Sequence, residues 1–392
     1  MPDAFLLAAT RTPIGKYLGA LAELTTPQLA AVALTEALKR AGARADQIDE
    51  VIVGHVLQAG AGQNPARQAA LRASFPDTIA AVTINKVCGS GLKAVMLAAQ
   101  AIRAGDAHLI AAGGMESMSR APFLLTGARQ GWKFGDQKAL DAMIHDGLWC
   151  AFEGCHMGES AEYIAGRCGI SRHEQDHFAV QSQHRAAAAW EQGWFDAEVV
   201  PVSVGAGAKA RLVTHDEGLR PETTADGLAK LRAAFREGGT VTAGNASTLS
   251  DGAAALVVGS AQAAEKLGTA PLARIVAYAT AGVAPRDIFL APVFAIRQVV
   301  EKAGWSLNEV DLIELNEAFA AQVLADVKEL GLDLARVNVH GGAIAMGHPI
   351  GASGARVLVT LLHALRRRGA RRGIASLCLG GGNAVALAIE RV

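Results

Sequence analysis

Two distant stretches of the chain carry the same pattern, KRAGARADQIDEVIVG at residues 39–54 and EKAGWSLNEVDLIELN at residues 301–316. Each stretch predicts the end of a helix, an Ala-Gly stop, a short loop and a buried strand. A second pair of segments, which start at Cys88 and at Gly351, matches in the same order and at nearly the same separation. Because chance similarity rarely preserves both order and spacing, we expect the chain to contain two homologous α/β halves.

The segment between the two halves differs from them in amino-acid composition and pattern. In the halves, short apolar runs such as VIVGHV (residues 51–56) alternate with helical stretches rich in Ala and Leu, the pattern of buried strands between covering helices. Residues 119–250 hold more Gly, Pro, Trp and charged residues, and such long insertions often form lids or binding surfaces. The predicted division into a first half, an inserted domain and a second half is residues 1–118 with 251–269, 119–250 and 270–392, respectively.

The composition excludes several classes of protein. Lys plus Arg and Asp plus Glu both number 37, so the chain lacks the basic excess of a dedicated nucleic-acid binder. No apolar run reaches the length of a membrane span, and the first residues lack the features of a secretory leader. Five scattered cysteines do not suggest a disulfide framework, so we expect a cytoplasmic protein with reduced thiols.

Cys88 lies in NKVCGSGLKAV, between a strand-like run and a helix-like run. The free N–H groups and the dipole at a helix N-terminus favour a thiolate over a thiol. The same N–H groups can stabilise an oxyanion, so Cys88 is a candidate nucleophile. The alternative is a small buried residue used for packing, because free cysteines are among the most buried residues.

His348 stands between Gly347 and Pro349 in a glycine-rich stretch that predicts a shaped loop. Glycines allow the backbone to approach a ligand closely, and a histidine in such a loop can serve as the base that activates a cysteine. A loop histidine that only bonds a backbone carbonyl is an equally good interpretation of this segment alone.

Two further segments carry candidate groups. Cys378 ends a buried strand and is followed by three glycines, which would expose backbone N–H groups beside the thiol. Asn316 ends a strand of the repeat, where its amide could orient a water or a histidine, although helix capping is the likelier role of an isolated Asn there. Two thiols, one imidazole and several N–H donors suit acyl transfer coupled to removal of a weakly acidic C–H proton, for which a thiol is a better match than a carboxylate.

Together these segments resemble the thiolase family, and the resemblance extends along essentially the whole chain. It rests on CGSG at Cys88, NEAFA at Asn316, and GGAIAMGHPIGASGAR at residues 341–356 with the glycine loop after Cys378. The family has a five-layered αβαβα fold, with two βαβαβαββ halves related by a pseudo-twofold axis and an inserted loop domain. The resemblance implies the same α/β thiolase fold here, in agreement with the internal repeat.

The resemblance implies a role for each matching residue. Cys88 would be the acylated nucleophile and His348 its activator. Cys378 would act as acid and base at C2 of the acyl group and towards the sulfur of CoA. Asn316 would hold a water that binds the thioester oxygen together with His348. The N–H groups of Cys88 and Gly380 would bind the oxygen of the acyl-enzyme.

The resemblance also implies a set of substrate-binding residues. Those expected to contact CoA or to line the acyl pocket are Ser247, Ala243, Arg220, Phe235, His156, Met157, Leu148 and Phe319. His340 and Ile288 depart from the residues usual in the family, and neither departure removes a catalytic group. Cys150, Cys155 and His156 could form part of a metal site, but no second ligand pair at suitable spacing appears, so we expect no metal.

The implied activity is that of a cysteine-dependent acyltransferase, with the reversible condensation of two acetyl-CoA to acetoacetyl-CoA and CoA through an acetyl-cysteine as the leading interpretation. The alternatives are a thiolase for broader 3-ketoacyl-CoA or 3-oxoadipyl-CoA substrates, and a catalytically silent subunit that binds acyl-CoA. CoA and acyl-CoA would be substrates, with no permanently bound cofactor and no nucleic-acid or membrane partner. Residues 127–138 resemble a loop that forms tetramers in bacterial short-chain thiolases, which implies a homotetramer, a dimer of dimers.

Overall fold

A computed structural model describes residues 2–392 of the chain. The strands are β1 (Ala4–Arg11), β2 (Gly15–Lys16), β3 (Glu50–Gly54), β4 (Ala80–Ile84), β5 (Leu109–Ser117), β6 (Phe123–Leu124), β7 (Leu140–Asp141), β8 (Trp149–Cys150), β9 (Cys155–His156), β10 (Val202–Val204), β11 (Arg211–Val213), β12 (Ser250–Ser260), β13 (Ala273–Gly282), β14 (Leu312–Leu315), β15 (Arg372–Leu379) and β16 (Asn383–Arg391).

The α-helices are α1 (Thr26–Ala41), α2 (Pro65–Arg72), α3 (Ser90–Ala104), α4 (Met157–Cys168), α5 (Arg172–Glu191), α6 (Ala225–Ala229), α7 (Ala261–Leu267), α8 (Ala291–Ala303), α9 (Ala320–Leu330), α10 (Ala343–Met346) and α11 (Ile350–Arg368). Short 3₁₀ helices lie at Ala45–Gln47, Met118–Arg120, Ala128–Gln130, Gly207–Lys209, Pro285–Leu290, Leu307–Glu309 and Leu334–Arg336, and a π-helical turn lies at Met143–Leu148. Among residues 2–392, no helix has the length and apolar character that a membrane crossing requires.

The two halves repeat one order of elements, as the sequence predicts. Strands β1, β3, β4, β5 and β12 with helices α1, α2 and α3 form the first half, and β13, β14, β15 and β16 with α8, α9 and α11 form the second. The Ala-Gly stops seen in the sequence end α1 at Gly42 (φ +62°) and α8 at Gly304 (φ +68°). The counterpart of β4 in the second half is reduced to a parallel bridge between Val337 and Ile313.

The strands of both halves form one continuous mixed sheet in the order β14-β15-β16-β13-β1-β12-β5-β3-β4, with β2 paired to β12. The order is symmetric about its centre, where β1 and β13 pair antiparallel over Ala4–Leu6 and Ala273–Ile275. Pairing is parallel between β3 and its two neighbours and between β14 and β15, and antiparallel between the other neighbours on this path. The β1–β13 pairing therefore joins two similar half-sheets into one.

Helices fill three layers around these half-sheets. Helices α3 and α11 lie between the half-sheets in a core that includes Leu92, Leu358 and Leu387. Helices α1 and α2 cover the outer face of the first half-sheet, and α8 and α9 cover that of the second. Along β12, Leu256 contacts the inner core and Val257 the outer one, because successive side chains of a strand face opposite sides. The predicted five-layered αβαβα arrangement is thus confirmed.

Four glycines allow the two central helices to approach each other and the sheet. A Cβ added to Gly354 would lie 2.4 Å from the backbone nitrogen of Leu92, and one added to Gly91 would lie 2.7 Å from that of Ala355. A Cβ on Gly114 would lie 2.2 Å from the carbonyl oxygen of Gly351. Since real side chains do not come this close, these contacts require glycine, and they bring the N-terminal turns of α3 and α11 together.

A buried ion network ties the segment between β5 and β12 to the first strand. The Arg11 guanidinium donates to Glu198 at 2.6 Å and to Asp216 at 2.7 Å, and all three side chains are buried. Burial alone would lower the pKa of Arg11, but the two carboxylates outweigh it and raise that pKa. Because a buried charge that loses its partner is costly, this network holds the segment against β1.

Replacing Gly114 with Ala is expected to destabilise the fold by about 2 kcal/mol or more, because the new methyl group would collide with the Gly351 carbonyl. The matched control is Gly166→Ala in α4, where no atom lies within 4 Å of the added Cβ and helix propensity favours Ala. Thermal unfolding of both variants checks this expectation. An unchanged transition temperature for Gly114→Ala would show that β5 and α11 can move apart far enough to accommodate the added methyl group.

Candidate active site

Cys88 lies in a strained turn between β4 and α3. The preceding Val87 has φ +47°, which a β-branched residue rarely adopts outside functional sites. The Ser90 hydroxyl holds the turn, because it donates to the Val87 carbonyl at 2.6 Å and accepts the Lys86 N–H at 2.8 Å. The strain is therefore balanced by local hydrogen bonds that leave Cys88 at the start of α3.

One cavity of about 550 Å³ collects nearly all of the residues predicted for the site. Its lining includes Cys88, His348, Cys378, Gly380, Ser247, Ala243, Arg220, Phe235, His156, Met157, Leu148 and Phe319. Asn316 is the predicted residue that does not line the cavity, since it lies buried behind His348, with its Nδ2 at 3.5 Å from each ring nitrogen. Residues that are 290 positions apart in the chain, Cys88 and Cys378, thus share one space.

The hydrogen bonds of His348 define which ring nitrogen is free. Its Nδ1 lies 2.6 Å from the Ser353 hydroxyl, and that hydroxyl donates its only proton to the Pro349 carbonyl at 2.9 Å. The hydroxyl must therefore accept a proton from Nδ1, which leaves Nε2 without one. A neutral imidazole of this tautomer can take a proton at Nε2.

The buried polar side chains of Asn316, Arg356 and Glu314 lie behind the imidazole. Arg356 donates to the Asn316 Oδ1 at 3.4 Å, which turns the Asn316 amide nitrogen towards His348. The Arg356 guanidinium also lies 3.8 Å from the Glu314 carboxylate, and both groups are buried. These contacts orient Asn316 through its oxygen, so its N–H groups point towards the His348 ring.

Burial keeps the two thiols and the imidazole of the site neutral. It raises the pKa of Cys88 to about 12, with Glu116 acting in the same direction and the N–H groups of Cys88 and Gly380 acting against it. Burial also raises the pKa of Cys378 well above that of a free thiol. Burial and the Arg356 charge lower the pKa of His348 to about 3. The resting site therefore holds two thiols and a neutral imidazole.

The cavity wall next to Cys378 is apolar. Cys378 belongs to a cluster with Ile288, Phe289 and Phe319, in which the two phenylalanine rings meet edge to face with centroids 5.4 Å apart. On the other side of Phe319, the Phe235 ring stacks on His156 at 4.9 Å. His156 in turn caps α4, because its Nδ1 accepts the Gly158 N–H at 3.0 Å. A short apolar group would fit between these walls.

Several residues that lie at the site in the structure are not predicted from the sequence. Ser353 is one of them, and its position five residues after His348 is the signal that could suggest a partner for the imidazole. Glu116 accepts the N–H groups of Val56 and of Gly351 near Cys88 and has no sequence signal of its own. The lining residues that no motif indicated include Lys16, Tyr17, Met118, Met143, Leu249 and Phe289.

Comparison with known proteins identifies the family. The description "Thiolase, N-terminal domain" matches residues 4–262, and "Thiolase, C-terminal domain" matches residues 269–391. The chain belongs to the thiolase family. It is 55% identical over 392 residues to an acetyl-CoA acetyltransferase of Pseudomonas aeruginosa and 54% identical over 393 residues to one of Cupriavidus necator, with 100% of both chains covered in each case.

Solved thiolase structures show the same fold. The crystal structure of the Bacillus anthracis acetyl-CoA acetyltransferase superposes with a TM-score of 0.98 at 46% identity, and the match covers 100% of this chain and 99% of that one. Among residues 2–392, no group of three or more His, Cys, Asp or Glu side chains is arranged to hold a metal ion.

Replacing His348 with Ala is expected to change how the alkylation rate of Cys88 depends on pH. In the wild type, His348 remains neutral well above its pKa of about 3, and the proton moves within a thiol–imidazole pair of constant total charge. The rate should then be nearly constant between about pH 6 and about pH 9. Without the imidazole, the buried thiol, whose pKa is raised to about 12 in the intact site, must lose its proton to solvent, and the rate should rise about tenfold per pH unit.

Iodoacetamide labelling followed by mass spectrometry of the peptide that contains Cys88 measures both profiles. The matched control is His340→Asn, because His340 is buried against Trp194 and does not line the cavity. This variant should keep the wild-type profile. A flat profile in His348→Ala would show that backbone N–H groups alone activate the thiol.

Proposed function

We propose that this thiolase catalyses the reversible condensation of two acetyl-CoA molecules to acetoacetyl-CoA and CoA. The observation that carries the proposal is the single cavity in which Cys88, Cys378 and a neutral His348 meet. Relatives at 54–55% identity over their whole length bear the name acetyl-CoA acetyltransferase. A silent acyl-CoA-binding subunit would be expected to lack at least one of these groups.

In the first half-reaction, Cys88 becomes acetylated. Its proton passes to Nε2 of His348 while its sulfur attacks the thioester carbon of acetyl-CoA. The backbone N–H groups of Cys88 and Gly380 both lower the pKa of the Cys88 thiol, so they lie close to its sulfur. They are therefore near enough to stabilise the oxyanion that forms when this sulfur attacks the thioester carbon. The thiolate of CoA then leaves and takes the proton of Cys378, which remains as a thiolate.

In the second half-reaction, the Cys378 thiolate removes a proton from C2 of a second acetyl-CoA. Burial raises the pKa of this thiol, and the thiolate is therefore a stronger base than a thiolate in water. The imidazolium of His348 and a water held by Asn316 would bind the enolate oxygen. The carbanion attacks acetyl-Cys88, and the released Cys88 thiolate recovers its proton from His348, which restores the resting site.

The segment between residues 119 and 250 supplies most of the proposed CoA contacts. Ser247 and Ala243 lie in a loop whose N–H and carbonyl groups are held by buried side chains, with Glu162 accepting the Val241 N–H at 2.8 Å and Asn245 accepting that of Thr242 at 2.8 Å. Arg220 and Lys16 are the lysine and arginine side chains that line the cavity, and they provide positive charge for the phosphates of CoA.

The shape and polarity of the cavity favour a short acyl group. Phe289 and Phe319 close the apolar wall next to Cys378, and Ile288 lies buried in the same cluster. A 3-oxoadipyl chain would bring a carboxylate against this wall, where burial without a partner is costly. We therefore favour acetoacetyl-CoA over longer or acidic 3-ketoacyl chains.

We also propose a homotetramer in the cytoplasm. In the segment at residues 127–138, Phe134 is 100% exposed and Trp132 is 43% exposed. Aromatic side chains in solvent at a loop tip favour burial against another copy. The five cysteines are unpaired, which suits a reducing compartment.

Incubation with acetyl-CoA labelled in the acetyl group should place the label on Cys88. Cys88→Ala should take up none, whereas Cys378→Ala should keep an acetylated Cys88 and lose about 10²-fold or more of its condensation rate, because the base is missing. Peptide mass spectrometry locates the label, and Cys168→Ala serves as the control thiol outside the cavity. A wild-type protein that carries no label would refute the proposal.

Replacing both Trp132 and Phe134 with Ser is expected to convert a four-copy assembly into a two-copy one while leaving the cavity residues unchanged. Analytical ultracentrifugation distinguishes these states. The control is Leu212→Ser in β11, which removes an exposed apolar side chain outside the loop. Sedimentation of the wild type as two copies would contradict the proposed tetramer.

A further inference from the structure

Two cysteines that the proposed chemistry does not use face each other across a small hairpin. Strands β8 and β9 pair antiparallel, with Cys150 directly opposite Cys155 and Trp149 directly opposite His156. Side chains at directly opposed positions project to the same side, with Cβ atoms about 4.5–5.5 Å apart. A disulfide needs Cα atoms about 4.4–6.8 Å apart and Cβ atoms about 3.5–4.5 Å apart, so the bond can form when the two strands move closer by about 1 Å.

The two thiols differ in their access to solvent. Cys150 is 3% exposed, and its sulfur accepts the Glu153 N–H at 3.4 Å. Cys155 is only half-buried, and its sulfur lies 3.7 Å from the Ser160 hydroxyl. A partly exposed thiol beside a buried one is suited to react first with an external oxidant and then to be resolved by its neighbour.

The hairpin is also part of the cavity wall. His156 follows Cys155 directly, lines the cavity, stacks on Phe235 and caps α4. Leu148, which directly precedes the hairpin, lines the same cavity. A covalent bond between the two hairpin strands would therefore limit the movement of side chains that contact the substrate.

We propose that Cys150 and Cys155 form a reversible disulfide, which makes this hairpin an oxidative modification site distinct from the catalytic thiols. With glutathione disulfide as oxidant, the Cys155 thiolate attacks one sulfur and releases one glutathione thiol. Cys150, after losing its proton, attacks the mixed disulfide and releases the second glutathione thiol. Two protein thiols are oxidised to one disulfide, and one glutathione disulfide is reduced to two thiols.

The intact protein can be equilibrated with mixtures of reduced and oxidised glutathione, blocked with N-ethylmaleimide and digested with trypsin. Both cysteines fall in the peptide of residues 139–167, which contains no internal Lys or Arg. In the oxidised sample this peptide should lose both maleimide labels and weigh two hydrogens less, and dithiothreitol should restore both labels. These measurements need no enzymatic activity, so they stand apart from the proposed function.

Matched variants identify the partners. Cys155→Ser should leave Cys150 labelled, Cys150→Ser should retain glutathione on Cys155, and Cys168→Ser should behave as the wild type. Two maleimide labels on the peptide at every glutathione ratio, or a bond from either cysteine to Cys168, would overturn the proposal. Because the wild-type protein alone gives the deciding result, a variant that fails to fold does not obscure it.

The effect on the cavity rests on the proposed function and is measured separately. One aliquot of the oxidised protein is blocked with maleimide, and labels on Cys88 and Cys378 show that these two thiols are still reduced. In the unblocked aliquot of the same sample, the hairpin disulfide should shift KM for acetoacetyl-CoA by about twofold or more. The double variant Cys150→Ser with Cys155→Ser should show no such shift under the same treatment. A disulfide with unchanged KM would overturn the link between the hairpin and the cavity.

Discussion

The close approach of α3 and α11 is the constraint on which the rest of the structure depends. Gly91, Gly114, Gly351 and Gly354 leave no room for a Cβ at the points of closest approach, so the first turns of both helices meet between the half-sheets. Cys88 precedes α3, and His348 precedes α11, so this crossing brings the two residues into one cavity. Bulkier residues at the crossing would move Cys88 and His348 apart without touching either side chain.

Neutrality of the site follows from the same burial. Placing two thiols and an imidazole in a cavity with apolar walls makes each charged form costly, which raises the pKa of Cys88 and Cys378 and lowers that of His348. A charge that forms on one of these groups is then stabilised by N–H donors that are already in position. Before substrate binds, Cys88 and His348 therefore form a neutral thiol–imidazole pair and not a thiolate–imidazolium ion pair.

Much of this arrangement could be predicted from the sequence, for identifiable reasons. The repeat predicted the two halves because helix stops and buried strands leave local patterns, and the motifs around Cys88, His348 and Cys378 predicted residues that the structure collects in one cavity. The partners of Arg11 could not be predicted, since Glu198 and Asp216 lie far along the chain and any carboxylate could have served. Cys150 and Cys155 were considered only as metal ligands, because spacing alone does not reveal the register of a hairpin.

The short β1–β13 pairing has a consequence for how the two repeats can exist. Three residue pairs join the half-sheets, and both half-sheets bury one face against the same two central helices. Neither repeat has a complete interior without the other, because α3 would lose its cover when α11 is absent. A single repeat on its own would therefore expose the apolar inner face of its half-sheet and one side of its central helix to water, which favours association with a second copy or aggregation.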